Sequence, residues 1–162
     1  MVKKETINVK NVINSDGCFD LQFRQDVKRN RLNSPIYHRW KAQFVIINSP
    51  DILEKVKSIF GCGNIHLIKS KARYSVQNIG ELKDAVIPYF NSNKLVGNKK
   101  KDFDLWAEGV EIIFRNKGKI FSDWGKGDFR KLIDIQKVSI KFKNKPRNSK
   151  WIKAAQDLAG TL

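Results

Sequence analysis

The chain has 162 residues, 41% of them hydrophobic, which is enough for one domain with a hydrophobic core. It carries 32 Lys and Arg against 16 Asp and Glu, a formal net charge of +16. No stretch approaches the roughly 18 apolar residues that a membrane helix needs, and the charged N-terminus gives no sign of a secretory signal. Two cysteines without a CxxC pattern argue against a zinc site. The charge therefore points to a polyanionic partner, and we expect nucleic acid, not a membrane.

Helical and extended patterns alternate in the first third of the chain. Apolar residues recur at helical spacing over residues 7–15, and the pattern stops at Asp16, which a glycine follows. Residues 18–24 alternate apolar and polar side chains, as a half-buried strand does. A polar segment with turn residues covers 26–35, and a second alternating strand follows over about 36–47.

The rest of the chain adds further elements. Ser49 is placed to cap a helix that has proline in its first turn. This helix covers residues 50–60. A hairpin follows, with strands at 65–69 and 73–78 joined by residues 70–72. Two more helices, at 79–90 and 99–115, complete the predicted core. After Gly118 we predict a helix at 128–137, a basic linker at 141–150 and a terminal helix at 151–158. The pattern predicts an α+β fold, with a core domain at 5–118 and an accessory helical extension at 119–162.

The predicted strands share one polar and basic face. Arginine and lysine can bond guanine edges or phosphates, and glutamine can bond adenine through two hydrogen bonds. Asp20 is the one acidic residue assigned to this face. A solvated outer face is the alternative interpretation, but the net charge favours nucleic acid. The candidate nucleic-acid-binding residues are Gln22, Arg24, Arg39, Lys41, Gln43, Arg73, Ser75 and Gln77.

A family resemblance enters with the first predicted helix. The stretch Val9-Lys-Asn-Val-Ile-Asn-Ser-Asp-Gly17 resembles the LAGLIDADG motif of homing endonucleases and intron maturases. The order of elements over about 7–115 is similar to that family's αββαββα core. The resemblance implies a four-stranded antiparallel, saddle-shaped sheet with helices on one side, followed by C-terminal helices. Other similar stretches are Phe44–Asn48, Ile59–Asn64, Arg73–Val76, Ile87–Phe90 and Lys99–Phe103.

The resemblance implies hydrolysis of a phosphodiester bond in double-stranded DNA at a specific site. Such hydrolysis needs a metal ion that activates water and neutralises charge on the phosphate, and Mg²⁺ prefers carboxylate oxygens. The last acid of the motif, here Asp16, is the implied metal ligand and catalytic residue. Asn48 matches an amide that helps to order the water. Lys99 matches a lysine that stabilises charge, with Lys100 and Lys101 as its neighbours.

A single motif implies a homodimer in which the motif helices pack together and bring two acids to the cleavage centre. Lys10 and Asn11 replace the small residues of the motif, and Asn14 replaces its first acid. Two alternatives therefore stay open: a nuclease-inactive maturase that binds intron RNA, and a regulator that binds DNA without cutting it. The abundance of Lys, Ile and Asn is typical of an AT-rich genome, and an organelle, mitochondrion or chloroplast, is the expected location. A bacterial or phage source, with a cytoplasmic location, fits the same composition.

Overall fold

A computed structural model describes residues 2–27, 36–142 and 150–160 of the chain. Within these ranges, the side chains of 2–8, 25–27, 36–37, 126, 150–152 and 154 are not described. Most of the predicted polar segment at 26–35 and of the predicted basic linker at 141–150 lies outside the described residues.

Helices and strands follow the expected order. The first unit is α1 (Val2–Asp16), β1 (Cys18–Val27) and β2 (Ile36–Asn48), and the second is α2 (Pro50–Phe60), β3 (Asn64–Ile68) and β4 (Lys71–Val76). One helical stretch comes next, made of α3 (Ile79–Glu81), a π-helical segment (Leu82–Val86) and α4 (Ile87–Ser92). The chain continues with α5 (Gly97–Arg115), a 3₁₀ turn (Phe121–Asp123), α6 (Lys126–Ile140) and α7 (Lys150–Ala159).

The four strands form one antiparallel sheet in the order β1-β2-β4-β3. The long strand β1 pairs along its whole length with residues 36–45 of β2, with Cys18 opposite Val45 and Val27 opposite Ile36. The shorter hairpin of β3 and β4 pairs with the C-terminal half of β2, so that Asn48 lies opposite Ala72. The prediction of an α+β fold with a four-stranded antiparallel sheet is confirmed.

Aromatic residues on one face of the sheet form the centre of the core. Phe19 and Phe44 are fully buried and their ring centroids lie 5.5 Å apart. Phe90 of α4 and Trp106 of α5 each place a ring centroid 5.1 Å from that of Phe19. The Trp106 Nε1 also donates to the main-chain oxygen of Asp20 at 3.1 Å. The helices therefore cover this face and leave the other face of the sheet open.

The segment after residue 118 packs on the same face. Phe129 of α6 places its ring 5.7 Å from both Phe23 and Trp40 in edge-on contacts. Gln136 of the same helix donates from Nε2 to the main-chain oxygen of Leu21 at 3.1 Å. The predicted helices at 128–137 and 151–158 are confirmed and extend slightly further, as α6 and α7.

The structure corrects the predicted hairpin, whose second strand ends at Val76 and not at residue 78, and the predicted cap of α2. The hairpin connection is the two-residue turn Lys69-Ser70, not 70–72, and Lys69 has a positive φ of 50°. Lys71 and Ala72 therefore belong to β4. Ser49 occupies the N-cap position of α2 as predicted, but its side chain makes no capping hydrogen bond. Among the described residues, no helix combines the length and apolar character needed to cross a membrane.

Candidate active site and nucleic-acid interface

The candidate active site lies where α1 gives way to β1. Gly17 allows this transition because a Cβ there would lie 2.5 Å from the Ile13 carbonyl oxygen and 2.9 Å from the Phe44 ring. Asp16 is the last residue of α1 and is exposed, while Val9 and Ile13 of the same helix are buried in the core. The tight packing at Gly17 thus fixes the position from which the Asp16 carboxylate projects.

Asn48, at the end of β2, meets Asp16 directly. Its Nδ2 donates to Asp16 Oδ2 at 2.9 Å, and its Oδ1 accepts from the main-chain N–H of Ser49 at 2.7 Å. The Asn48 amide therefore has two roles: it is a hydrogen-bond partner of Asp16 and a capping group before α2. Because both ends of the amide are engaged, the orientation of Asn48 toward Asp16 is fixed.

Of the three lysines that open α5, Lys99 is the one held near the acid. The pKa of Lys99 is lowered, because the effect of burial outweighs the opposite effect of the nearby Cys18, Asp16 and Asp102. Lys100 instead pairs with Asp104 at 2.6 Å, one helical turn away, and Lys101 points toward Phe142. The structure therefore brings Asp16, Asn48 and Lys99 together from three elements that are distant in sequence.

The site could bind a hard cation through the carboxylate oxygens of Asp16. Asp16 offers exposed carboxylate oxygens, and Mg²⁺ is commonly held by one or two carboxylates together with waters and substrate phosphates. Within the described part of the chain, no group of three or more His, Cys, Asp or Glu side chains could hold a metal ion by itself. A single copy of this site therefore supplies only part of a coordination shell, which fits Mg²⁺ and does not fit a closed structural metal site.

The predicted nucleic-acid-binding residues lie on the open face of the sheet or at its border. Arg39 and Gln77 are exposed, and Gln22, Arg24, Lys41 and Arg73 are half-buried. Lys41 Nζ donates to Gln77 Oε1 at 2.8 Å and so joins β2 to the residue that follows β4.

Two members of the predicted set, Gln43 and Ser75, are buried. Arg73 lies opposite Ile47, but its Nη2 reaches Gln43 Oε1 at 3.5 Å. The Arg73 side chain must therefore cross the row formed by Val45 and Ser75, which explains why Ser75 is covered. Long side chains lying along the sheet bury their shorter neighbours.

Asp20 has a role on this face that the sequence pattern did not assign. It is buried, and its Oδ2 accepts from Gln22 Nε2 at 2.6 Å and from Gln43 Nε2 at 2.8 Å. The strand alternation placed Asp20 beside these glutamines, and this was the available signal. The hydrogen bond between Asp20 and Gln43 therefore connects β1 to β2 on the open face of the sheet.

Comparison with known proteins identifies the lineage. The sequence profile described as LAGLIDADG endonuclease matches residues 12–110, more than half of the chain. The chain belongs to the LAGLIDADG endonuclease family. The matched range begins within α1 and ends in α5, so it includes Asp16, Asn48 and Lys99.

Relatives of this LAGLIDADG chain include a curated protein of Mycosarcoma maydis named probable intron-encoded DNA endonuclease 1. It is 30% identical over 95 residues, which are 58% of this chain and 32% of that protein. The match thus spans about a third of the relative's length.

Two solved structures share the fold. The archaeal intron-encoded homing endonuclease I-Vdi141I, complexed with DNA, matches with a TM-score of 0.72 and 17% identity over 99% of this chain and 96% of that one. I-SmaMI, bound to an uncleaved DNA target in the presence of calcium ions, matches with a TM-score of 0.69 and 18% identity. That match covers 93% of this chain and 47% of the other.

Proposed function

We propose that this LAGLIDADG protein is a site-specific double-strand DNA homing endonuclease that hydrolyses phosphodiester bonds with a metal ion. The observation that carries the proposal is the convergence of Asp16, Asn48 and Lys99 beside a basic sheet face. The names of the Mycosarcoma maydis relative and of I-Vdi141I, a DNA endonuclease and a homing endonuclease, support it.

Asp16 is the residue that would hold Mg²⁺. When bound, the ion would supply an activated water and neutralise charge on the phosphate. Asn48 orients the Asp16 carboxylate through its Nδ2, and the second carboxylate oxygen accepts from Ser15 Oγ at 3.3 Å. Lys99 contributes a positive charge close to Asp16, where negative charge develops on the phosphate. The calcium ions named with the I-SmaMI complex support a divalent cation in this family.

Double-stranded DNA is the proposed partner of the open sheet face. The face combines exposed or half-buried cations with amides, and a net charge of +16 adds long-range attraction to phosphates. Arg24, Arg39, Lys41 and Gln77 are the side chains best placed for direct contact. Gln43 and Ser75, which are buried, contribute by supporting Arg73 from beneath.

A homodimer through α1 is the proposed assembly. One copy offers one exposed acid at the end of α1, whereas cutting both strands needs two cleavage centres related by a two-fold axis. Lys10 and Asn11 are exposed on α1 and would lie in that interface. The interface would therefore be polar at these two positions, where the motif has small residues.

The gene is proposed to lie in an intron of an organelle genome, as the name of the Mycosarcoma maydis relative and the Lys, Ile and Asn-rich composition suggest. Residues 119–162 are proposed to be an accessory extension of the core domain at 5–118. The contacts of Phe129 with Phe23 and Trp40 support this, since they anchor α6 to the sheet.

The exposed Lys10 and Asn11 favour one second candidate, a nuclease-inactive maturase that binds intron RNA. A direct test separates the two functions. Purified protein is incubated with a randomised double-stranded DNA library and Mg²⁺, and its mass in solution is measured in parallel. Cleavage of selected sites by a dimer supports the endonuclease. A monomer that binds structured RNA and never cuts DNA with Mg²⁺ or Mn²⁺ would refute it.

A further inference from the structure

A chain of hydrogen bonds crosses the open face of the sheet from β4 to β1. Arg73 Nη2 donates to Gln43 Oε1 at 3.5 Å, and Gln43 Nε2 donates to Asp20 Oδ2 at 2.8 Å. Gln22 Nε2 donates to the same Asp20 oxygen at 2.6 Å. Asp20 is buried, whereas Gln22 and Arg73 are half-buried. The hydrogen bonds therefore lead outward from the buried Asp20 carboxylate to a partly exposed side chain at each end.

The chemistry of the two ends fixes the direction of every amide in this chain. An ionised carboxylate only accepts hydrogen bonds and a guanidinium only donates them. Gln43, between Asp20 and Arg73, must therefore turn its NH₂ toward the acid and its oxygen toward the arginine. Gln22 must likewise turn its NH₂ toward Asp20. This assignment follows from the partners and needs no choice between amide oxygen and nitrogen.

The consequence concerns the outward edge of Gln22. With its NH₂ held by Asp20, the Oε1 acceptor of Gln22 is left for a ligand on the open face, together with the second N–H of the amide. In the major groove, adenine presents an N–H donor at N6 beside an acceptor at N7, and these match the oxygen and the N–H of Gln22. Guanine presents two acceptors there, and cytosine and thymine each match only one group of the amide.

We propose that Asp20 is a positioning residue for base recognition: it fixes the amide of Gln22 so that this side chain selects adenine. The inference rests on the proposed function, because it requires that the open face lies in the major groove of DNA. Asp20 itself does not touch the base. It acts through Gln22, and through Gln43 it also holds Arg73 in place.

The amides of Gln22 and Gln43 donate to the same Asp20 oxygen, Oδ2, so one acceptor oxygen holds both of them. Asp20→Asn keeps such an oxygen and should keep Gln22 in place. Asp20→Leu removes it, and Gln22, which is partly exposed, can then turn over. The preference for adenine at its base pair should fall by about fivefold, the effect of losing one hydrogen bond.

The experiment selects bound sequences from a randomised double-stranded DNA library in EDTA, so that binding is measured without cleavage. It compares the wild type with Asp20→Leu, Asp20→Asn and Gln22→Ala, after thermal melting has identified the temperature at which all four are folded. We expect Gln22→Ala to lose the preference for adenine at one position, Asp20→Leu to weaken it at that same position, and Asp20→Asn to keep it. Lys41→Gln, on the facing strand, is the control and should lower affinity while keeping the preference at the Gln22 position.

Two results would overturn the inference alone: an Asp20→Leu profile identical to that of the wild type, or a loss of preference spread over all positions in a folded variant. A wild-type protein that binds the library without enriching any sequence would refute the proposed function, and the inference with it.

Discussion

Asn48 Nδ2 donates to Asp16 Oδ2 at 2.9 Å, although the two residues are separated by 32 positions in the chain. This bond joins the end of α1 to the end of β2. Because Asn48 also accepts from the N–H of Ser49, its amide cannot turn over without losing a hydrogen bond. The acid at the candidate active site is therefore held by an oriented neighbour.

Asn48→Ala should lower the cleavage rate by roughly 10- to 100-fold, the usual effect of losing a partner of a metal ligand. The structural reason is that Asp16 loses the donor that orients it. The Mg²⁺ concentration that gives half-maximal cleavage should rise as well, and a titration of the rate against Mg²⁺ measures this. Ser49→Ala is the matched control, since the Ser49 side chain makes no capping bond. An unchanged Mg²⁺ requirement in Asn48→Ala would contradict the assigned role.

The pH dependence of cleavage should reflect Lys99. Burial lowers its pKa from the ordinary 10.5, so the ammonium form is lost at a lower pH than for an exposed lysine. If this charge stabilises the phosphate, the cleavage rate should fall on the alkaline side, at a pH below 10.5. Lys99→Arg should remove this fall, because a guanidinium stays protonated. Lys100→Ala, which loses the pair with Asp104 and the contact with the Phe103 ring, should keep the wild-type profile.

The lowered pKa of Lys99 also leads to a prediction about the stability of the protein. A lowered pKa means that the charged form is disfavoured in the folded state, so its cost is present in full below the folded pKa and disappears between that pH and the ordinary pKa of 10.5. Lys99→Met should therefore be at least as stable as the wild type at pH 7 while losing cleavage activity. Thermal melting at pH 7 tests this expectation. A clear loss of stability in Lys99→Met would mean that the attraction to Asp16 and Asp102 outweighs burial.

Gly17 should be intolerant of any side chain. A Cβ would lie 2.5 Å from the Ile13 oxygen and 2.9 Å from the Phe44 ring, and neither atom can move without disturbing the core. Gly17→Ala should lower the free energy of unfolding by about 1–3 kcal/mol, the range for overpacking. Gly127→Ala is the control, because it lies in α6 with nothing near its Cβ position, and it should be neutral or slightly stabilising. Urea denaturation of both variants distinguishes close packing from a general effect of glycine replacement.

Lys10 should limit self-association. In a dimer through α1, two copies of this exposed lysine would approach each other and lose water. Lys10→Ala should therefore tighten the dimer by roughly tenfold, about 1.4 kcal/mol. Sedimentation at several protein concentrations, with Lys57→Ala of α2 as the control, measures the dissociation constant. A variant that dissociates more readily than the wild type would place Lys10 in a favourable interfacial contact or α1 outside the interface.

The sequence predicted the sheet and its two faces well because strand alternation has a strict period of two. Phe19, Leu21 and Phe23 face the helices, and Asp20 and Gln22 face the open side, as expected. The same pattern could not predict how far a long side chain reaches. Arg73 crosses Ser75 to contact Gln43, and this burial depends on the register of β4 against β2.

The candidate site was only partly predictable. Asp16, Asn48 and Lys99 were named from a resemblance, but their convergence depends on three elements that pack together only in the folded chain. The choice of Lys99 over Lys100 depends on helix phase, which places Lys100 beside Asp104. Strand alternation placed Asp20 on the same face as Gln22 and Gln43, but the hydrogen bonds among them depend on the register of β1 against β2.

The most direct test of the proposed endonuclease compares the wild type with Asp16→Asn on a DNA site selected by the wild type. With Mg²⁺, the wild type should cut both strands, and Asp16→Asn should show no cleavage while binding the same site with similar affinity. Cleavage by the folded Asp16→Asn variant at the wild-type rate would contradict the assignment of Asp16 as the metal-binding catalytic acid.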